Sequence, residues 1–259
     1  MPTKPKKKPG YDLKAADRKR NLLIQIGLTA VVVVFAVALV LYIVLGSDKP
    51  APGEAKAIRV TSGELITKEG TTEPKAVLSL YEDFLCPACG NFERTFGPTI
   101  SKLIDSGAVA ADYHMVSILD ARGGGYSSRS GAAAYCVADE SIDAFRRFHS
   151  ALYTTEIQPQ EGGGTYPDNA RLIELARQAG AAGSVPDCIN SDRYVKMVQG
   201  MAAATGVNAT PTVRINGEDY SPTTPDALVA KIKEIVGDVP GLDAPAPAPA
   251  PSPAPAPAS

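Results

Sequence analysis

The sequence predicts an α/β core that carries a mainly helical insertion and follows one apolar segment of membrane-spanning length. Three observations predict it. Short apolar runs of strand character occur near 76–84, 108–118 and 210–217, with helical periodicity between and after them. A block over about residues 122–206 is patterned almost entirely for helix. Residues 22–45 form an unbroken run of 24 residues without a formal charge.

The apolar run comes first. At about 1.5 Å per residue it exceeds the roughly 20 residues needed to cross a bilayer. It is too long for the apolar core of a cleaved signal peptide, so an uncleaved anchor is expected. The basic segment 1–21 carries Lys4, Lys6, Lys7, Lys8, Lys14, Arg18, Lys19 and Arg20 against Asp12 and Asp17. The positive-inside rule keeps that end in the cytoplasm and exports the remainder from a single-pass position in the cell membrane. The net charge of -2 offers nothing to a nucleic acid. A linker, 46–56, leads to a folded unit over 57–240, and an Ala/Pro-rich tail, 241–259, has no core-forming pattern and reads as disordered.

Within 57–240, AIRV at 57–60 supplies an edge strand and AVLSLYEDF at 76–84 the clearest strand. After it, Phe92, Phe96, Ile100, Leu103 and Ile104 recur at helical spacing, with Gly97-Pro98 expected to kink that helix and Gly107 to end it. AVAADYHMVSI at 108–118 is the next strand. Ser127 or Ser128 is expected to cap a helix through Ala132–Ala138, and 143–153, 170–180 and 191–206 are expected as further helices, the last capped by Ser191 or Asp192. TPTVRING at 210–217 gives a strand and turn, GEDYS at 217–221 a second short strand, and 225–236 a closing amphipathic helix.

The chemistry concentrates in FLCPACG at 84–90. A zinc site needs two more ligands than Cys86 and Cys89, and the chain has only His114, His149, Cys136 and Cys188 to offer. Haem attachment needs a histidine where Gly90 stands. A redox pair fits a strand-to-helix junction better. A helix beginning at Cys86 would aim unpaired N–H groups at its thiolate and lower its pKa. Pro87 suits a first helical turn, and Ala88 supports helix without adding charge. Cys86 is then the attacking sulfur and Cys89, one turn in, the more buried resolving sulfur. No metal and no cofactor are expected. His114 and His149 read as structural or surface residues, and Asp83 either positions the loop or is a solvated turn residue; Glu82 carries less weight still.

Three stretches carry a family resemblance: YEDFLCPACGNFE, the helical block with YCVADESIDAFRRFHSALY, and GVNATPTVRINGEDY. On these, 76–237 resembles the DsbA-like branch of the thioredoxin superfamily, in particular the membrane-anchored, exported thiol–disulfide oxidoreductases of actinobacteria. The resemblance implies a thioredoxin-like fold with a helical insertion and a cis proline at Pro211. It implies that Thr210 lies against the cysteine pair and presents backbone to an extended substrate. It implies support from Asp83 and a second, structural disulfide between Cys136 and Cys188, with two separate buried thiols as the alternative. The implied activity is oxidation of cysteine pairs in exported proteins, with a quinone-linked oxidase of the vitamin K epoxide reductase type as the recycling partner. Ala88 stands where the best-known oxidase of the branch has histidine, which leaves a reductase (as in cytochrome maturation) or an isomerase open. A non-catalytic thioredoxin-like scaffold is the reading from a different class.

Overall fold

The structure, a computed structural model, describes residues 55–242. The expected basic segment, the anchor at 22–45, most of the linker and the tail beyond 242 lie outside the described residues. Among the described residues no helix is long and apolar enough to cross a membrane.

Five strands form one sheet in the order β1-β3-β2-β4-β5. At its centre β2 (Val77–Glu82) and β3 (Ala110–Met115) run parallel. Parallel neighbours need a crossover, and α1 (Pro87–Asp105) supplies it. β1 (Ile58–Val60) adds antiparallel to β3, and β4 (Thr212–Ile215) antiparallel to β2. The two-residue β5 (Glu218–Asp219) closes the other edge, as GEDYS suggested.

The pleat sorts the side chains. Register places Val60, Ala111, Leu78 and Ile215 in one row, and Ile58, Tyr113, Leu80 and Val213 in the next. All eight are buried in the main core. The alternate positions form a different row, Arg59–Asp112–Ser79–Arg214–Asp219, which crosses all five strands. Arg59 holds Asp112 through two hydrogen bonds of 2.7 Å, and Arg214 Nε donates to Asp219 at 2.7 Å. Opposite charges side by side on neighbouring strands stabilise the pairing modestly. Glu82 follows Leu78 and Leu80 in phase, so its carboxyl is carried onto the core face.

Between β3 and β4 the insertion contributes five helices: α2 (Tyr126–Glu140), α3 (Ile142–Leu152), α4 (Asn169–Gln178), α5 (Val185–Asn190) and α6 (Val195–Thr205). The final helix, α7 (Pro225–Val236), packs against α1. Ser141, Asp168 and Thr224 cap α3, α4 and α7 with side-chain oxygens. Gly131 lets α2 approach β3 and α6, since a Cβ there would meet Val198 Cγ1 at 2.8 Å and Met115 Cβ at 3.1 Å.

Three local expectations are corrected. Ser127 and Ser128 lie inside α2, and its start is instead held by Asp120, whose carboxylate accepts from Ser128 N at 2.9 Å. Ser191 and Asp192 do not cap the last insertion helix: Ser191 ends α5, Asp192 takes a left-handed φ of 52°, and α6 begins after Tyr194. The sequence between 185 and 205 is therefore two helices with a tight turn. Finally, the fold extends past 240, because Leu242 is buried and its carbonyl accepts from Lys102 Nζ at 2.6 Å.

Cys136 in α2 and Cys188 in α5 are joined as a disulfide, with Cα atoms 5.8 Å apart and a separation of 52 positions in sequence. Closing a loop of that length restrains the unfolded chain. Replacing both by alanine is expected to lower unfolding free energy by about 2–4 kcal/mol, measured by denaturant titration. Thiol titration of the same variant should still count the Cys86–Cys89 pair.

Candidate active site

The site begins where β2 ends. Glu82 is the last strand residue, and five residues later α1 starts at Pro87, whose missing N–H costs nothing there. Cys86 is the N-cap residue, with extended backbone (φ −71°, ψ 117°). No side-chain oxygen caps this helix. Cys86 thus sits at the start of the helix, where the N–H groups of Cys89 and Ala88 favour its thiolate. Cys86 Sγ lies 3.5 Å from the carbonyl oxygen of Thr210, whose peptide bond to Pro211 is cis. The structure thus brings Cys86, Pro87, Ala88, Cys89, Thr210 and Pro211 to one place, from β2, α1 and the start of β4.

The two sulfurs, both free thiols in this structure, are chemically unequal. Cys86 retains 6% exposure and Cys89 none. A hydrogen bond from the Cys89 thiol lowers the Cys86 pKa to about 5; burial opposes this, and the Thr210 side chain with the N–H groups of Cys89 and Ala88 reinforces it. Burial, and then donation to Cys86, push Cys89 well above the ordinary thiol value. Cys86 is a thiolate at neutral pH and Cys89 a thiol.

Asp83 is not a solvated turn residue. It is fully buried, and its two carboxylate oxygens accept from Leu85 N and Leu119 N, each at 2.9 Å. It ties the cysteine-bearing loop to the segment after β3. Burial raises its pKa to about 6 despite those bonds. Glu82, carried inward by the pleat, meets His149 of α3: Glu82 Oε2 and His149 Nε2 are 2.8 Å apart. Glu93 of α1 stands on the other ring nitrogen at 3.9 Å. His149 is otherwise packed among Phe84, Tyr113, Phe145 and Tyr153.

Burial raises Glu82 to about 8 and Glu93 well above its ordinary value, and it lowers His149. These three are the group among the described residues with ligand atoms close enough together for a metal, within 4.8 Å. Their hydrogen-bond-length contact and the raised carboxyl pKa values fit a cluster held neutral by shared protons. Sequence reading missed Glu93, undervalued Glu82 and treated His149 as structural or surface. The phase of Glu82 with Leu78 and Leu80 was the available signal. His114 is buried too, stacked on Tyr81 at 4.5 Å beneath the Arg214 guanidinium.

The family model described as thioredoxin matches residues 66–234. The chain belongs to the thioredoxin family. Reduced DsbA of Mycobacterium tuberculosis is 68% identical, with 73% of this chain and 96% of that one covered and a TM-score of 0.71. The reduced disulfide bond oxidoreductase DsbG of the same organism is 68% identical over 74% of this chain and 92% of that one, also at 0.71. MdbA, a thiol–disulfide oxidoreductase from Corynebacterium matruchotii, is 23% identical over 69% and 88%, and its TM-score of 0.55 shows likeness of fold alone. A curated relative, the serine/threonine-protein kinase PknE of Mycobacterium tuberculosis, is 30% identical over 147 residues, 56% of this chain and 25% of that one. The chain thus spans about a quarter of the length of the curated relatives it matches. With both cysteines in place, this thioredoxin-family chain is DsbA-like.

Two measurements check the electrostatics. Thiolate absorbance of the reduced protein should titrate with a midpoint near 5, and Cys86→Ser should remove it. A depressed pKa means the dithiol form gains stability from the thiolate above that midpoint, up to the ordinary value of 9.0, and loses it as pH falls through about 5. Glu82 has the opposite sign. Its raised pKa contributes stability below the ordinary 4.5 that is lost as pH rises through about 8. In the disulfide form, where neither cysteine titrates, Glu82→Gln should therefore flatten the decline in melting temperature between about pH 4.5 and pH 8.

Proposed function

We propose that this chain is a membrane-tethered, extracytoplasmic thiol–disulfide oxidoreductase that works chiefly as an oxidase of cysteine pairs in exported proteins. The carrying observation is the inequality of the two thiols. A thiolate held at about 5 on Cys86 stabilises the reduced pair, and a stabilised reduced form makes the corresponding disulfide a willing oxidant. The likeness to M. tuberculosis DsbA and to the disulfide bond oxidoreductase DsbG supports the class of reaction.

In this reading a substrate thiolate attacks Cys86 Sγ of the disulfide. The Cys86–Cys89 bond breaks, and the electron pair goes to Cys89, whose high pKa makes it take up a proton. The second substrate thiolate then attacks the substrate sulfur of the mixed disulfide and displaces Cys86 as a stable thiolate. Two electrons pass from substrate to enzyme. A quinone-linked oxidase of the vitamin K epoxide reductase type is the proposed acceptor that restores the disulfide. The backbone beside cis-Pro211, at Thr210, is the proposed docking edge for an extended substrate. Tethering rests on the uncharged run 22–45 behind its basic flank.

Oxidative refolding of a reduced multi-cysteine protein, paired with a redox titration against glutathione, tests the direction. The expected potential lies nearer ~−120 mV than ~−270 mV, with refolding accelerated. A value near or below about −270 mV without refolding sinks the oxidase reading in favour of a reductase. Cys86→Ser should abolish activity, and the Cys86 thiolate of Cys89→Ser should attack a disulfide-bearing protein, displace one of its sulfurs as a thiolate and remain held as a mixed disulfide, because the resolving sulfur is gone. Full activity in Cys86→Ser would overturn the mechanism itself.

A further inference from the structure

The loop that presents Cys86 is gripped from two sides. Asp83 takes the Leu85 N–H, and Cys86 N donates to Asp83 O at 2.9 Å. The carbonyl groups point the other way, toward the insertion. There Gln158, in the segment that follows α3, donates from Nε2 to Cys86 O at 3.0 Å and to Phe84 O at 3.3 Å. Its own place is fixed. Gln158 N donates to Thr154 O at 2.9 Å, and Arg94 Nη1 donates to Gln158 Oε1 at 3.2 Å. Arg94 is in turn held by Tyr153 O at 2.6 Å and Asn91 Oδ1 at 2.6 Å.

We propose that Gln158 is a positioning residue for the thiol–disulfide reaction: a latch from the helical insertion that fixes the Phe84–Cys86 backbone and so keeps the Cys86 sulfur in front of the first N–H groups of α1. Cys86 O already accepts the first-turn bond from Gly90 N at 3.1 Å. A second donor on the same oxygen fixes the peptide that joins Cys86 to Pro87, and with it the direction of the sulfur. The residue beside the latch is consistent with this. A Cβ on Gly90 would lie 2.0 Å from Gln158 Oε1 and 2.8 Å from Arg94 Nη1. Both are far ends of flexible side chains, so a methyl group there would push the latch aside rather than break the helix. Glycine inside a helix is otherwise unfavourable relative to alanine, and room for Gln158 accounts for its use at this position.

The inference rests on Cys86 being the attacking sulfur, but it is read from the sulfur's own titration rather than from the direction of electron flow. An oxidase reading that failed would leave it standing. Gln158→Ala and Gly90→Ala are compared singly and together in the full chain, by thiolate absorbance against pH and by thermal melting. Either single change should raise the Cys86 midpoint by ~0.5–1 pH unit, and the double variant should show no further rise. Gly90→Ala should lower the melting temperature of the parent protein, yet raise it when Gln158 is already alanine, because the 2.0 Å clash is then gone, the flexible end of Arg94 no longer bonded to Gln158 can swing clear, and the helical preference decides. An unchanged midpoint in folded Gln158→Ala, or the same sign for Gly90→Ala in both backgrounds, overturns the latch. Should Gln158→Ala fail to fold, the midpoint of Gly90→Ala alone decides.

Discussion

A helix must begin with N–H groups that its own turns cannot satisfy, and the chemistry of this protein depends on that constraint. Where α3, α4 and α7 place a capping oxygen, α1 places Cys86 at its N-cap. Pro87 removes one donor from competition, while Ala88 and Cys89 leave theirs facing the sulfur. A thiolate held first by the Cys89 thiol and reinforced by the first N–H groups of the helix needs no cationic neighbour, so the absence of a histidine at Ala88 removes one source of stabilisation and leaves these in place. The remainder of the site is largely concerned with keeping that helix start still: Asp83 on the amide side of the loop, Gln158 on the carbonyl side, and Thr210 across from the sulfur.

Two of the groups that shape the site, His149 and Gln158, come from the insertion and not from the sheet. The insertion is thus part of the active-site structure as well as a cover for it. His149 makes burial of Glu82 tolerable, and the aromatic rings around it exclude water from the region beneath Cys89. The cost is carboxyl groups whose charged forms are penalised by the fold, which sets the acidic groups and the thiolate in opposition along the pH axis. Functional sites commonly keep such locally unfavourable groups because the surrounding packing holds them in place.

The main strands along the chain, the helix after the cysteines and the cysteine pair were legible in the sequence because each follows from local rules: a period of two, a period of 3.6, and proline after the cap. Helix starts were less legible. Ser127, Ser128, Ser191 and Asp192 are all residue types that cap helices, but tertiary contacts decided otherwise, through Asp120 at α2 and a turn at Asp192. The buried Glu82–His149–Glu93 cluster joins residues up to 67 positions apart, so only its inward phase on β2 was readable. Gln158 lies among glutamines and prolines in a loop and carries no pattern at all. Its role comes from proximity to backbone carbonyls, which no single sequence announces.

The charged row across the sheet has a consequence beyond its own energy. Under the proposed function the clients are unfolded chains, so the protein would meet extended backbone seeking partners, and any bare sheet edge invites it. Here the outer strands are three and two residues long, one bearing Arg59 and the other Glu218 and Asp219. Short, charged margins give a passing chain little to zip onto. What stays attractive to it is the backbone beside Pro211, directly against the sulfur, so that chance adhesion elsewhere on the sheet competes poorly with productive encounter.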